Sequence, residues 1–341
     1  MAFSSIPEFV DDLRKSRLLS AVQLDELQRI LVPRFTEPMG LAKELARRGW
    51  LTVYQVNQMV QARGQELVLG PYRILDHLGR GGVSQVFKAW HTEQNCQVAL
   101  KVIHPELLSN AEAVGRFQRE VRAVTRLSHP NIVKAFSDQS LGVVHFFAME
   151  FVQGNDLNKL VQLSGQIPVA PACDYIRQAA LGLQHAHEVG LVHRDIKPAN
   201  LVLISGSSVV KILDLGLARL RSSDGRPDVV TMEGALIGTP DYISPEQAKD
   251  PRNVDIRSDI YSLGCSLYYL LAGQPPFAGG SLMDKLFRHR MKEPPALSTL
   301  RNDVPAGVAA VVQKMMAKQL AERFATPAEV AAALVPFCPA A

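Results

Sequence analysis

Eight consecutive residues, His193-Arg194-Asp195-Ile196-Lys197-Pro198-Ala199-Asn200, constrain this chain more than any other stretch, because they crowd charged and amide groups between two apolar runs. Gly190-Leu191-Val192 precede them and Leu201-Val202-Leu203-Ile204 follow, so the ends of the loop are expected to be buried and its polar groups held still. The carboxylate of Asp195 can accept a proton from a hydroxyl, and the amide oxygen of Asn200 is a hard donor suited to Mg²⁺. Lys197 adds a cation. A second apolar strand, Val209-Val210-Lys211-Ile212-Leu213, runs into Asp214-Leu215-Gly216, and two strands joined by a turn bring Asp214 near Asn200. A carboxylate and an amide oxygen converging on one cavity suit a divalent ion that also takes phosphate oxygens.

Upstream, Tyr72 to Leu78 reads as a strand, followed by Gly79-Arg80-Gly81-Gly82-Val83-Ser84-Gln85-Val86 and a second strand through Phe87 and Trp90. Glycines let backbone N–H groups approach phosphates closely, and strands on both sides favour a cover over phosphates rather than a dinucleotide turn, which would need a helix next. A glycine-rich hairpin turn without ligand is the other reading. Gln97-Val98-Ala99-Leu100-Lys101-Val102-Ile103 is an apolar strand broken by one cation. A helix is expected from about 111 to 127, carrying Glu120, with Phe117, Val121, Val124 and Leu127 on its apolar face. Residues 143–152 form the next strand, ending at Glu150-Phe151-Val152-Gln153-Gly154.

Taken in order, these motifs resemble those of a eukaryotic-type (Hanks-type) serine/threonine protein kinase over residues 72–337. The short linkers around Ser244-Pro245-Glu246-Gln247 are similar to the bacterial branch. The resemblance implies an α+β, bilobal fold, with an N-lobe over 72–149, a hinge at 150–154 and a C-lobe over 155–337. It implies ATP and Mg²⁺ as cofactors, with Mn²⁺ as a possible substitute, and protein Ser or Thr hydroxyls as acceptors. Asp195 is then the base, Lys197 steadies the transferring group, Asn200 and Asp214 hold the metal, and Lys101 held by Glu120 positions the phosphates. Residues 79–86 cover the phosphates. Leu78, Val86, Ala99, Met149 and Val202 sandwich the adenine, the backbone at Glu150 and Val152 reads its edge, and Asp156 reaches the ribose. Thr239 belongs to the peptide platform, Asp259 supports the catalytic loop, and Arg323 pairs with Glu246. Leu215 stands where the family has Phe, and Ser84 where it has a third glycine. A pseudokinase scaffold is the alternative, but it should have lost Lys101, Asp195 or Asp214, and all three are present.

Residues 1–66 read as a small all-α unit, joined by a linker at 67–71. Arg17 to Leu24 aligns without gaps on Gly49 to Val56, and each copy places a Ser or Thr three residues before a Gln, the pattern of a capping box. Further helices are expected near 9–17 and 41–48, giving two related helical hairpins. They act either as a packing extension or as a module that docks a partner. With 47% hydrophobic and 21% charged residues the chain is of ordinary globular composition, and a net charge of +4 without a basic run gives no sign of nucleic acid as a partner. Four widely spaced cysteines suit a reducing, cytoplasmic setting, and the apolar run 260–272 is too short to span a bilayer.

Arg194, next to the base, is a cation that a phosphate in the segment 217–237 could engage, with Thr231 as first acceptor and Ser222 or Ser223 as second. Each phosphate adds about −1.5 to −2 charge at neutral pH, enough to order such a segment. Purified protein is expected to phosphorylate itself there, and the Thr231→Ala, Ser222→Ala, Ser223→Ala triple variant to lose most activity toward other proteins. Mass spectrometry finding no phosphate in 217–237 of fully active protein would rule this out.

Overall fold

A computed structural model describes residues 5–82, 84–108, 111–141, 144–215, 240–250 and 254–339, with the side chains of 111, 112, 116, 120 and 137–139 outside that description. The chain divides into two compact units, the first comprising residues 1–108 and 136–151, the second 109–135 and 152–341.

The first unit begins with four helices, α1 (Ile6–Ser16), α2 (Ala21–Glu26), α3 (Pro38–Arg47) and α4 (Val53–Val60). Both capping boxes form: Ser20 Oγ accepts from Gln23 N at 3.2 Å while Gln23 Oε1 accepts from Ser20 N at 2.9 Å, and the Thr52 and Gln55 bonds measure 3.1 and 2.8 Å. The repeat extends beyond the aligned octets. Phe9 and Leu41, Leu13 and Leu45, and Leu27 and Met59 are equivalent pairs, all buried in one cluster with Leu19 and Leu51 of the octets. Arg17 and Gly49, also equivalent, take left-handed φ values of 56° and 70°.

Six strands follow in the sheet order β1-β2-β3-β4-β6-β5: β1 (Val68–Leu69), β2 (Tyr72–Arg80), β3 (Ser84–His91), β4 (Cys96–Ile103), β5 (Ala135–Leu141) and β6 (Val144–Glu150). The segment read as a linker thus contains β1, which pairs with the start of β2. Tyr72, Ala89, Val98, Leu100, Phe146 and Ala148 fill one side of the sheet. The helical cluster takes in Ile74 of β2, and Phe87 of β3 packs against it.

The second unit contains α5 (Ala111–Val124), β7 (Gly154–Asp156), α6 (Leu157–Ser164), α7 (Val169–Glu188), β8 (Leu201–Ile204) and β9 (Val210–Ile212). Six more helices complete it: α8 (Pro245–Lys249), α9 (Ile256–Ala272), α10 (Leu282–Met291), α11 (Leu297–Leu300), α12 (Ala306–Met315) and α13 (Pro327–Leu334). The apolar run 260–272 lies inside α9, which is buried on every side except at Arg257, as expected of a helix that is hydrophobic all round. No helix among the described residues is long and apolar enough to cross a membrane. All four cysteines are free.

Residues 190–192, expected to bury the near end of the loop, instead form a turn in which Gly190 is exposed and Leu191 and Val192 are half-buried. Gly190, at φ 77°, ends α7, with Gly190 N donating to His187 O at 2.8 Å and Leu191 N to Ala186 O at 3.0 Å, a Schellman closure that turns the chain into the polar loop. After that loop β8 sits between β7 and β9. Gly154 of β7 lies so close to β8 that an added Cβ would collide with the Leu203 carbonyl. Gly154→Ala is therefore expected to destabilise the protein by about 1–3 kcal/mol, the usual cost of overpacking, read as a lower urea midpoint. An unchanged midpoint would mean that the β7 and β8 backbones can separate freely.

Candidate active site

A buried carboxylate organises the polar loop. Asp259, on α9 and fully buried, accepts the backbone N–H of His193 at 2.7 Å through Oδ2 and that of Arg194 at 2.8 Å through Oδ1. Burial pushes its carboxyl up from the usual range, and His193, the two N–H donors and Arg194 oppose that shift. Arg194 is held at φ 67°, a left-handed conformation that a non-glycine residue keeps only where its surroundings over-determine it. Its carbonyl accepts from Gln247 Nε2 at 2.8 Å.

His193 carries this fixation onward. Its Nδ1 lies 3.2 Å from the N–H of Asp195 and so accepts, which leaves the ring proton on Nε2 to be donated to the Leu213 carbonyl at 2.7 Å. Leu213 N donates in turn to Asn200 O at 2.9 Å. Asp214 follows directly, at φ 61°, so the end of β9 is tied to both ends of the loop. The Asp195 carboxylate accepts from Lys197 Nζ at 2.8 and 3.1 Å and from Asn200 Nδ2 at 3.3 Å, and its side chain is 51% exposed. Asn200 Nδ2 also donates to the Asp195 carbonyl at 2.7 Å, which commits the amide's nitrogen and turns its oxygen away. The oxygens of Asn200 and Asp214 are hard donors on adjoining strand ends, and they fit a divalent ion. Among the described residues no cluster of three or more His, Cys, Asp or Glu could hold a metal alone. That suits Mg²⁺, which keeps few protein ligands and shares its shell with phosphate and water. Leu215 is buried, as the apolar residue expected there.

In the same unit Asp156 stands opposite Val202 across β7 and β8. Its Oδ1 accepts from Lys159 N at 2.8 Å, so the carboxylate expected at the ribose is also the N-cap of α6.

The first unit gathers the other expected residues by strand register. Val86 pairs with Lys101 and Lys101 with Phe147, while Ala99 pairs with Met149, so Val86, Ala99, Lys101 and Met149 share one face of the sheet. Lys101 is buried, while Leu78 at the end of β2 is exposed. Arg80 pairs with Gln85 across the glycine turn, where Gly81 N donates to Ser84 O at 2.8 Å and Ser84 is buried. Gly79 and Gly82 lie on the same hairpin, and Glu150 and Val152 are half-buried. Val83, Ser222, Ser223, Thr231 and Thr239 lie outside the described residues, as does the side chain of Glu120, a residue of α5.

Two functional links were missed in the sequence. Ser244 and Gln247 form a third capping box, and Ser244 Oγ bonds Ser258 Oγ at 2.7 Å, so the box joins α8 and α9 to the Arg194 carbonyl. Its Ser-x-x-Gln spacing was the available signal, the same one used at Ser20 and Thr52. The bond from His193 to Leu213 had no signal in spacing. By contrast, the expected pair is present: Arg323 donates to both Glu246 oxygens, at 2.7 and 2.8 Å.

A catalytic loop pinned from a buried helix, beside an Asp at a strand end, defines a protein kinase domain. Residues 72–334 match the family model described as protein kinase domain, and the chain belongs to that family. It is 37% identical over 268 residues to the serine/threonine-protein kinase PknB of Mycobacterium leprae, covering 77% of this chain and 42% of the relative. Against PknB of Mycolicibacterium smegmatis the identity is 38% with the same coverage. The chain thus spans about two fifths of the length of these curated relatives. The crystal structure of the Mycobacterium tuberculosis PknI kinase domain superposes with a TM-score of 0.62 at 28% identity, covering 80% of this chain and 98% of that one.

Asp259→Asn would put a donating NH2 in place of one of the two oxygens that accept the backbone N–H groups of His193 and Arg194. It is expected to cost on the order of 1–3 kcal/mol, the penalty of unsatisfied buried groups, and to lower phosphotransfer with it. Chemical unfolding and turnover measured together check this, and wild-type values for both would remove Asp259 as the anchor of the loop.

Proposed function

We propose that this chain transfers the γ-phosphoryl group of ATP to serine or threonine hydroxyls of proteins. The observation that carries the reading is Asp195: an exposed carboxylate whose backbone is fixed through His193 and whose oxygens are oriented by Lys197 and Asn200. A base must be both reachable and held still. In the proposed step the hydroxyl oxygen bonds to the γ-phosphorus, the bond from that phosphorus to the β,γ-bridging oxygen breaks, ADP leaves, and the hydroxyl proton passes to Asp195. Lys197, 2.8 Å from Asp195, is the cation available to the transferring group. Asn200 and Asp214 would hold Mg²⁺, with Mn²⁺ as substitute; when bound it neutralises phosphate charge. Lys101, on the face shared with Val86, Ala99 and Met149, is the cation for the α- and β-phosphates. Leu78 to Val86, together with Val202, Glu150, Val152 and Asp156, serve the nucleotide. Phosphorylation at Thr231, Ser222 or Ser223, read by Arg194, would be the regulatory part of the same scheme.

The test is incubation with labelled ATP, Mg²⁺ and a generic protein substrate. Asp195→Asn is expected to lower turnover by about 10² to 10⁴, the usual share of general-base catalysis, with ATP binding retained. Near-normal turnover in the variant would sink the assignment, and a wild-type chain that binds ATP without transferring phosphate would favour the scaffold.

A further inference from the structure

The two helical hairpins repeat each other, yet their capping boxes differ in what else they touch. In the first, Ser20 is exposed and its box with Gln23 closes the start of α2. In the second, both residues hold a strand as well. Thr52 Oγ1 accepts from Gln55 N and donates to the Leu75 carbonyl at 2.5 Å, while Gln55 Oε1 accepts from Thr52 N and Nε2 donates to the Ile74 carbonyl at 2.7 Å. Gln55 is buried, so its bond to the Ile74 carbonyl forms away from water.

The two carbonyls are consecutive, and in a regular strand consecutive carbonyls point to opposite edges. Here Ile74 pairs with Ala89 but Asp76 already with Lys88, so Leu75 is an extra, bulged residue. β1 pairs only with Tyr72 and Arg73, which leaves α4 to take up the outer edge of β2 at this bulge. The bulge sets the phase of the strand: with it, His77 faces Phe87, their rings 5.3 Å apart, and Tyr54 of α4 meets Phe87 at 6.5 Å. Without it, the alternation would bring Asp76 to that apolar side. Downstream, a second register shift between His77 and Gly79 leaves Leu78 as another extra residue, and the glycine turn follows.

We propose that Thr52 and Gln55 are positioning residues for nucleotide binding, fixing β2 at the Leu75 bulge and through it the strand end that carries Leu78 and the glycine-rich turn. The inference rests on the phosphotransfer reading above for its kinetic form. The N-terminal helical unit is then part of the nucleotide-binding half of the molecule, with the chain's own β2 as the partner that its second hairpin holds.

The test compares Thr52→Ala, Gln55→Met with Ser20→Ala, Gln23→Met, since both remove a capping box and only the first releases β2. The first double variant is expected to raise KM for ATP roughly three- to tenfold, the factor that one net hydrogen bond is worth, with kcat within about twofold of wild type. Thr52→Ser, which keeps the hydroxyl, is expected to retain the wild-type KM. Backbone amides of residues 76–80 should exchange about tenfold faster in the first variant and unchanged in the second. An unaltered KM with unaltered exchange in the first variant, or an equal rise in both, would overturn the proposal. Absence of phosphotransfer in wild-type protein would instead overturn the functional reading, and the exchange comparison would still decide the role of Thr52 and Gln55.

Discussion

The carboxylate of Asp259, buried inside α9, is the interaction on which the candidate site depends. A buried charge is costly unless it is fully hydrogen-bonded, and here the donors are two successive backbone N–H groups of the loop itself. The loop therefore cannot relax without leaving the carboxylate uncompensated. From that point the order spreads by single bonds: His193 to Leu213, Leu213 to Asn200, Gln247 to Arg194. Positive φ values at Arg194 and Asp214 mark the residues bent to meet these constraints.

The second unit thus holds the Asp195 carboxylate, Asn200 and Asp214 on loops braced by a buried helix. The first unit holds an apolar face with one buried cation, set by antiparallel register, and a glycine turn where β2 runs into β3. Rate in phosphoryl transfer comes mostly from positioning and electrostatics, so a fold that spends its buried polar groups on holding loops still suits that chemistry.

The N-terminal helices follow a different logic. Equivalent residues of the two hairpins fill one core, and the capping boxes are equivalent in bond pattern. What separates the copies is their surroundings, because Thr52 and Gln55 use their remaining hydrogen-bonding atoms on β2. Local sequence repeats the motif, and only the neighbouring strand distinguishes its two uses.

Local chemistry was legible in the sequence. The helix starts at Ser20 and Thr52, strands β2, β3, β4, β8 and β9, and the approach of Asp214 to Asn200 all follow from short-range patterns of apolar spacing, glycine and hydroxyl. The resemblance to the kinase family carried the pairings of Asp259 with the loop and of Arg323 with Glu246. Tertiary structure alone decided the rest. The proton on His193 Nε2, the reach of Gln247 to Arg194, the N-cap role of Asp156, the turn at 190–192, and the seat of α4 on the Leu75 bulge of β2 could not be read beforehand. The physical reason is that each turns on where a backbone carbonyl or N–H is left exposed, and every residue but proline offers the same pair of groups.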